Sequence, residues 1–178
     1  MALEEGRHEY LVGLFYSREA AEEAYDDLRE AGYTREEINV IMSNETREKY
    51  YPKGSEYTRS EVGSKAVEGM GTGAAIGGVV GGIAGAIIAF SSNLVIPGLG
   101  LVIAGPLAGA LAGLGAGSLT GGVVGALVGA GIPEDRAEYF DSEIKGGKIM
   151  LSVRPHNFDD VVRFTKKWEK EENVEVYT

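Results

Sequence analysis

The 178-residue sequence has no cysteine. That excludes a disulfide framework, a thiolate metal site and a cysteine nucleophile, and it fits a reducing compartment. Only two histidines are present, His8 and His156. They lie far apart, without the HxxxH or HExxH spacing that puts two imidazoles on one helix face, so they read as ordinary surface residues. Basic residues are also scarce: 17 Lys and Arg stand against 27 Asp and Glu, a formal net charge of −10. This balance argues against nucleic acid as a partner, because phosphate binding needs clustered basic side chains. The opening residues Met1 to Arg7 are polar and acidic. They resemble neither a signal nor a transit peptide, so the expected location is cytoplasmic or cytoplasmic-membrane-associated, not secreted.

A further absence is local. From Gly69 to Pro133, 65 consecutive residues contain no Asp, Glu, Lys or Arg. Every charge lies in the flanks, where about two residues in five are charged. Of the 27 glycines, 20 lie inside the uncharged block. The chain is therefore two materials joined together: residues 1–68 and 133–178 are polar and acidic, and residues 69–132 are an uncharged insertion.

The glycines of the block are periodic. Gly69, Gly73, Gly77, Gly81 and Gly85 recur every fourth residue, and so do Gly105, Gly109, Gly113, Gly117, Gly121, Gly125 and Gly129. A flexible linker would interleave glycine with serine; here the intervening residues are mainly Ala, Val, Ile and Leu. Residues i and i+4 share a helix face, so a glycine row opens a groove into which another helix can pack at backbone distance. Each glycine costs a helix about 0.5–1 kcal/mol relative to alanine, so the pattern needs helix packing or a bilayer to offset it. The spacing predicts two helices, about Met70 to Phe90 and about Pro106 to Ala130, with Pro97, Gly98, Gly100 and Pro106 in the turn. At 1.5 Å per residue each would cross a ~30 Å hydrocarbon core. The flanking charge is mixed and the turn is apolar, which favours a re-entrant hairpin, or burial in an assembly, over a hairpin emerging into water.

The flanks read as alternating strands and helices. Residues 8–16 are apolar on both alternating faces, the pattern of a central strand. Ser17 caps a helix with the stripe Ala20, Ala21, Ala24, Tyr25 and Leu28, and Gly32 ends it. Thr34 and Glu37 are spaced as a capping box for a single turn, and Ile38 to Met42 is a second strand. Residues 43–68 read as a connecting loop with a short helix near 60–68. Pro133, Glu134 and Asp135 open a helix with the stripe Ala137, Phe140 and Ile144. Lys148 to Arg154 is a strand. Asn157 opens a last helix with the stripe Phe158, Val161, Val162, Thr165 and Trp168, and Val174 and Val176 mark the last strand. The expected fold is α+β: a ferredoxin-like βαββαβ sheet domain with an inserted glycine-zipper helical hairpin. Two helices cover one sheet face in such a domain, so the second apolar face calls for a partner copy or the block itself.

The segments VGLFYSREAAEEAYDDLREAGY and INVIM, the glycine-rich stretch, IPGLGLVIAGPLAGALAG and GIPEDRAEYFDSEIKGGKIMLSVR together resemble the bacterial general-stress-protein family that includes proteins called low-temperature-induced or heat-induced. Ile96 to Leu111 and Gly131 to Arg154 are the most specific parts. The resemblance implies a stress-linked, often membrane-associated bacterial protein with no established reaction. It supplies no catalytic residues, because its motifs are packing and turn residues.

Signals of chemistry are sparse. Gly69, Gly71 and Gly73 suggest a dinucleotide loop, but Ile76 stands where the pattern needs Gly or Ala, and no acidic residue follows within the block. No Walker motif is present. Glu22, Glu23, Asp26 and Asp27 read as a solvated helix face. Tyr10, Tyr16 and Tyr25 read as core or dimer-face residues, and Trp168 as core. No carboxylate sits in an apolar sequence context that would raise its pKa. The expectation is a non-enzymatic stress-response protein without cofactor, metal or catalytic residues, whose glycine-zipper hairpin mediates membrane association or homo-oligomeric assembly. Its partners are other copies of itself or a lipid bilayer. Two alternatives stand beside it: a pore or large closed assembly with hairpins at its centre, and a ligand-sensing regulatory domain.

Overall fold

The computed structural model describes residues 10–52, 82–83, 95–96, 100–113, 122–171 and 174–178. Strand β1 (Leu11–Phe15) is buried along its whole length. Helix α1 (Arg18–Glu30) starts where Ser17 Oγ accepts from Ala20 N at 3.2 Å. It ends where Gly32, at φ +95, lets Tyr33 N reach Leu28 O at 3.0 Å. Half of the Thr34–Glu37 capping box is present: Glu37 accepts from Thr34 N at 2.7 Å, while Glu37 N donates to the Thr34 backbone carbonyl and not to its hydroxyl. Strand β2 (Asn39–Ser43) leads directly into α2 (Asn44–Tyr50), where a loop was expected. The reason is local: Ser43 ends the strand and also caps the helix, accepting from Thr46 N at 3.0 Å.

The uncharged block departs most from expectation. Its apolar turn contains a β-hairpin, β3 (Val95–Ile96) and β4 (Leu101–Ala104), and β4 pairs antiparallel with β2, Val40 opposite Ala104. A short apolar run bounded by glycines does not by itself separate strand from helix. Here Gly100 and Gly105, at φ +64 and +99, punctuate it as a strand. Pro106 opens α3 (Pro106–Gly113), and α4 (Gly122–Gly129) follows. Gly82 and Gly122 have φ +74 and +46. A right-handed helix does not run unbroken through such a residue, so the expected helices are interrupted at these two positions; apart from residues 82–83, the expected helix Met70–Phe90 lies outside the described residues.

Helix α5 (Glu134–Lys145), strand β5 (Ile149–Val153), helix α6 (Phe158–Trp168) and strand β6 (Val174–Tyr177) complete the described elements. All six strands form one antiparallel sheet in the order β3-β4-β2-β5-β1-β6. Its first face packs Leu11, Phe15, Val40 and Leu151 against α1 and against Phe164 and Trp168 of α6. Gly13 leaves room here, since a Cβ would lie 2.6 Å from the Phe15 ring. Ile83, from the uncharged block, joins this core. The second face packs Val12, Leu14, Ile41 and Met150 against Leu107 of α3, Leu127 of α4 and Phe140 of α5. The sheet therefore lies between two helical layers, and the uncharged block builds much of the second. In α6 the buried stripe is rotated from the expected one. Phe164 and Trp168, four apart, point inward, while Phe158, at the first helical position, is 68% exposed.

One junction fastens the block to the sheet. The buried Asn39 accepts from Leu107 N at 2.8 Å through Oδ1 and donates to Ser152 O at 3.2 Å through Nδ2. Gly105 lies against the same strand, where a Cβ would meet Ile38 O at 2.3 Å. Gly105→Ala is therefore expected to destabilise by about 2–4 kcal/mol, from left-handed strain plus overpacking. Gly109, where among the described residues nothing lies within 4 Å of an added Cβ, gives the opposite sign: Gly109→Ala is expected to stabilise the isolated chain by about 0.5–1 kcal/mol. Urea unfolding of both variants checks the pair.

Candidate functional site

The packing residues read from the glycine rows separate into three groups. Gly69, Gly73, Gly77, Gly81, Gly85, Gly117, Gly121, Pro97 and Gly98 lie outside the described residues, and Gly113 is described by its backbone alone. Gly105 is not on a helix face but in the left-handed strand-to-helix turn, and Gly100 is in the β-hairpin turn. Pro106 is the first residue of α3. Gly109, Gly125 and Gly129 are on helices as expected. Among the described residues, however, Cβ atoms at Gly109 and Gly125 would meet nothing within 4 Å. Helices α3 and α4 pack on each other and α4 packs on α5, but these two glycines are not the points of close approach. The outer side of α4 also presents Val128, 41% exposed.

Where α4 turns into α5, a cavity of about 600 Å³ opens beside the end of β1. Gly131, at φ +98, makes the turn. Val12, Phe140 and Tyr177 line the cavity with Tyr10, and Arg136 and Arg154 project from α5 and from the end of β5. The Arg136 guanidinium lies over the Tyr177 ring at 5.4 Å, and that of Arg154 over the Tyr10 ring at 5.0 Å. Phe140 and Tyr177 meet edge to face with centroids 5.0 Å apart. Stacking fixes a guanidinium while leaving its in-plane N–H donors available.

Behind this wall is a charged cluster that the sequence reading missed. Glu175 Oε1 accepts from Tyr16 OH at 2.6 Å and from Lys148 Nζ at 2.8 Å. Its Oε2 accepts from Tyr139 OH at 2.6 Å and from Tyr177 OH at 2.7 Å. Lys148 is buried, pairs also with Glu143, and sits 3.8 Å from the Tyr16 ring centroid. Partial burial pushes Glu175 up, but the bonds from Lys148 and three tyrosines outweigh it and hold the carboxyl at about 2. Burial lowers Lys148, yet Glu175 and Tyr16 raise it above the usual lysine value. The bond to Glu175 raises Tyr139. These protons are held away from neutrality, so the cluster fixes charge and shape; proton transfer near pH 7 needs the reverse. One signal for it was in the sequence: Glu175 alternates with Val174 and Val176, which places it on the opposite sheet face.

The acidic stretch of α1 is only partly a solvated face. Glu23 and Asp26 are exposed. Glu22 accepts from Tyr51 OH at 2.8 Å and from Ile83 N at 3.0 Å, holding the block against α1. Burial pushes Glu22 up; Asp26, although its side chain reaches solvent, is pushed to about 6 by partial desolvation together with the carboxylates of Glu22, Glu30 and Asp27. Raised carboxyls of this kind were not expected from the sequence, because the apolar neighbours come from distant segments. Asp27 is buried against Lys167. Tyr25 and Trp168 are core residues, whereas Tyr10 lines the cavity and Tyr16 belongs to the Glu175 cluster. His156 is exposed, 2.8 Å from Glu37 and stacked on Tyr33. His8 lies outside the described residues. Among the described residues, no group of three or more His, Cys, Asp or Glu is arranged to hold a metal ion.

Compared with protein-family models, curated proteins and solved structures, the chain matches none.

The Glu175 cluster carries a pH prediction. A carboxyl held at about 2 when folded, against the ordinary 4.5, contributes stability that is present above pH 4.5 and lost as the pH falls from there through 2. Glu175→Gln is expected to destabilise by about 1–3 kcal/mol at pH 7, with the gap to wild type closing below pH 4.5. Urea midpoints measured across that range check it.

Proposed function

We propose that the chain is a non-enzymatic assembly protein whose uncharged, glycine-rich layer joins copies of itself, leaving the acidic flanks in water. One observation carries this reading. Among the described residues, nothing lies within 4 Å of where a Cβ would be at Gly109 or Gly125, so none of their contacts there calls for glycine. Glycine in a helix costs about 0.5–1 kcal/mol relative to alanine. A second surface approaching to backbone distance accounts for that cost. Charge supports the same side of the molecule. At a net charge of −10, copies repel through their flanks and meet at least cost through the block that has none.

A lipid surface is the second reading, favoured by exposed Val128 on the uncharged layer. No described helix is long and apolar enough to cross a membrane. Helices α3 and α4 have 8 residues each, about 12 Å of rise against a ~30 Å core. Over their described residues these helices reach the surface of a bilayer and do not cross it.

The finer architecture belongs to the same proposal. We read β1-α1-β2 and β5-α6-β6 as a ferredoxin-like βαββαβ domain, with the block inserted between its second and third strands. The neighbour order β2-β5-β1-β6 and the antiparallel pairing support this. The general-stress likeness of Ile96 to Leu111 and Gly131 to Arg154 suggests when such a protein would be made.

Gly125→Leu tests the reading, because it places a bulky side chain where one chain alone has room for it. Light scattering is expected to give wild type a mass above the 18.9 kDa of one chain and the variant a smaller one. Flotation with phosphatidylcholine vesicles separates the lipid reading. Wild-type size and wild-type vesicle partition in the variant together overturn both.

A further inference from the structure

We propose that the cavity between β1, β6 and α5 binds a small organic anion: a carboxylate on a flat apolar body, gripped by Arg136 and Arg154. Its volume, about 600 Å³, falls in the range of small-molecule sites, roughly 300–1,000 Å³. Its lining divides as such a ligand requires. Val12, Phe140 and Tyr177 supply apolar and aromatic surface and the two arginines supply positive charge, while Thr178 with its α-carboxylate also lines the cavity, farther than an ion pair from either guanidinium.

The charge is unusual for this chain. Acidic residues outnumber basic ones by 27 to 17, yet no Asp or Glu side chain is among the cavity's lining residues. Among the described residues, neither arginine has a carboxylate within the 4.0 Å of an ion pair; the ion pairs of this structure involve other cations. Each guanidinium rests on an aromatic ring, at 5.4 Å for Arg136 and 5.0 Å for Arg154. A stacked guanidinium keeps its in-plane donors for a carboxylate, which it can hold bidentately. The Glu175 cluster holds Tyr177 in place from behind through the 2.7 Å bond from its hydroxyl.

A flat carboxylate suits the cavity better than a bare inorganic anion. Exposed Glu134 and Asp135 precede Arg136 in the same helical turn and oppose any anion. Apolar contact with Phe140 and Tyr177 supplies the affinity that charge alone would lack.

The test uses the full chain and four probes by titration calorimetry: benzoate, indole-3-acetate, neutral benzyl alcohol and inorganic phosphate. At least one aromatic carboxylate is expected to bind with a dissociation constant below about 1 mM, and benzyl alcohol and phosphate at least about tenfold more weakly. Arg136→Gln with Arg154→Gln is expected to weaken carboxylate binding by at least about tenfold; both side chains are exposed, and an unchanged thermal midpoint verifies folding. Failure of both carboxylates to bind overturns the proposal. So does equal binding by the folded double variant, or phosphate binding more tightly than either carboxylate. Assembly state is read separately by light scattering, so this outcome is independent of the assembly reading.

Discussion

The strand Leu11–Phe15 is buried on both faces, and a sheet with such a centre is stable only between two layers. One layer is α1 with α6, drawn from the charged flanks. The other needs helices with no charge to bury, and α3 and α4 of the uncharged block supply them beside α5. Burial of apolar area on two faces, at about 25 cal/mol per Å², is the force that recruits the block into the domain. Asn39 and Gly105 then set its position, by a hydrogen bond to Leu107 N and by close backbone approach.

The same constraint explains where polar chemistry survives. Lys148 and Glu22 show how charge is accommodated. Lys148 is buried because Glu143, Glu175 and the Tyr16 hydroxyl surround it. Glu22 is tolerated because Tyr51 and Ile83 N donate to it. Among the described residues, Arg136 and Arg154 are met by ring faces and by no carboxylate. That difference sets the cavity apart from the rest of the surface.

Much of the fold was legible. Alternation in β1, the Ser17 and Thr34–Glu37 caps, the Gly32 stop and the stripe Ala137, Phe140 and Ile144 all reflect interactions within a few residues, so sequence spacing reports them. What was missed is long-range or degenerate. Leu101–Ala104 is apolar throughout, a run that suits strand or helix until a partner strand fixes it. Helix α2 begins at a serine that also ends a strand. The exposure of Phe158 depends on where α6 meets the sheet. The Glu175 cluster and the Arg136–Arg154 pair join residues far apart in the chain, and no local pattern encodes such meetings.

By itself, the sequence determined that two kinds of chain exist here, that the middle one must be buried, and that the flanks form strands and helices around a two-faced strand. Charge and periodicity are properties of the residues themselves, so no fold is needed to read them. Only the tertiary structure decided what buries the block. Its described residues form two sheet strands and helices of the second layer, because that face of the sheet offers apolar surface that they cover at little cost in chain entropy. Tertiary structure also brought three tyrosines and two arginines, far apart in the sequence, into a cluster and a cavity wall, since burial and proximity arise only once distant strands are side by side.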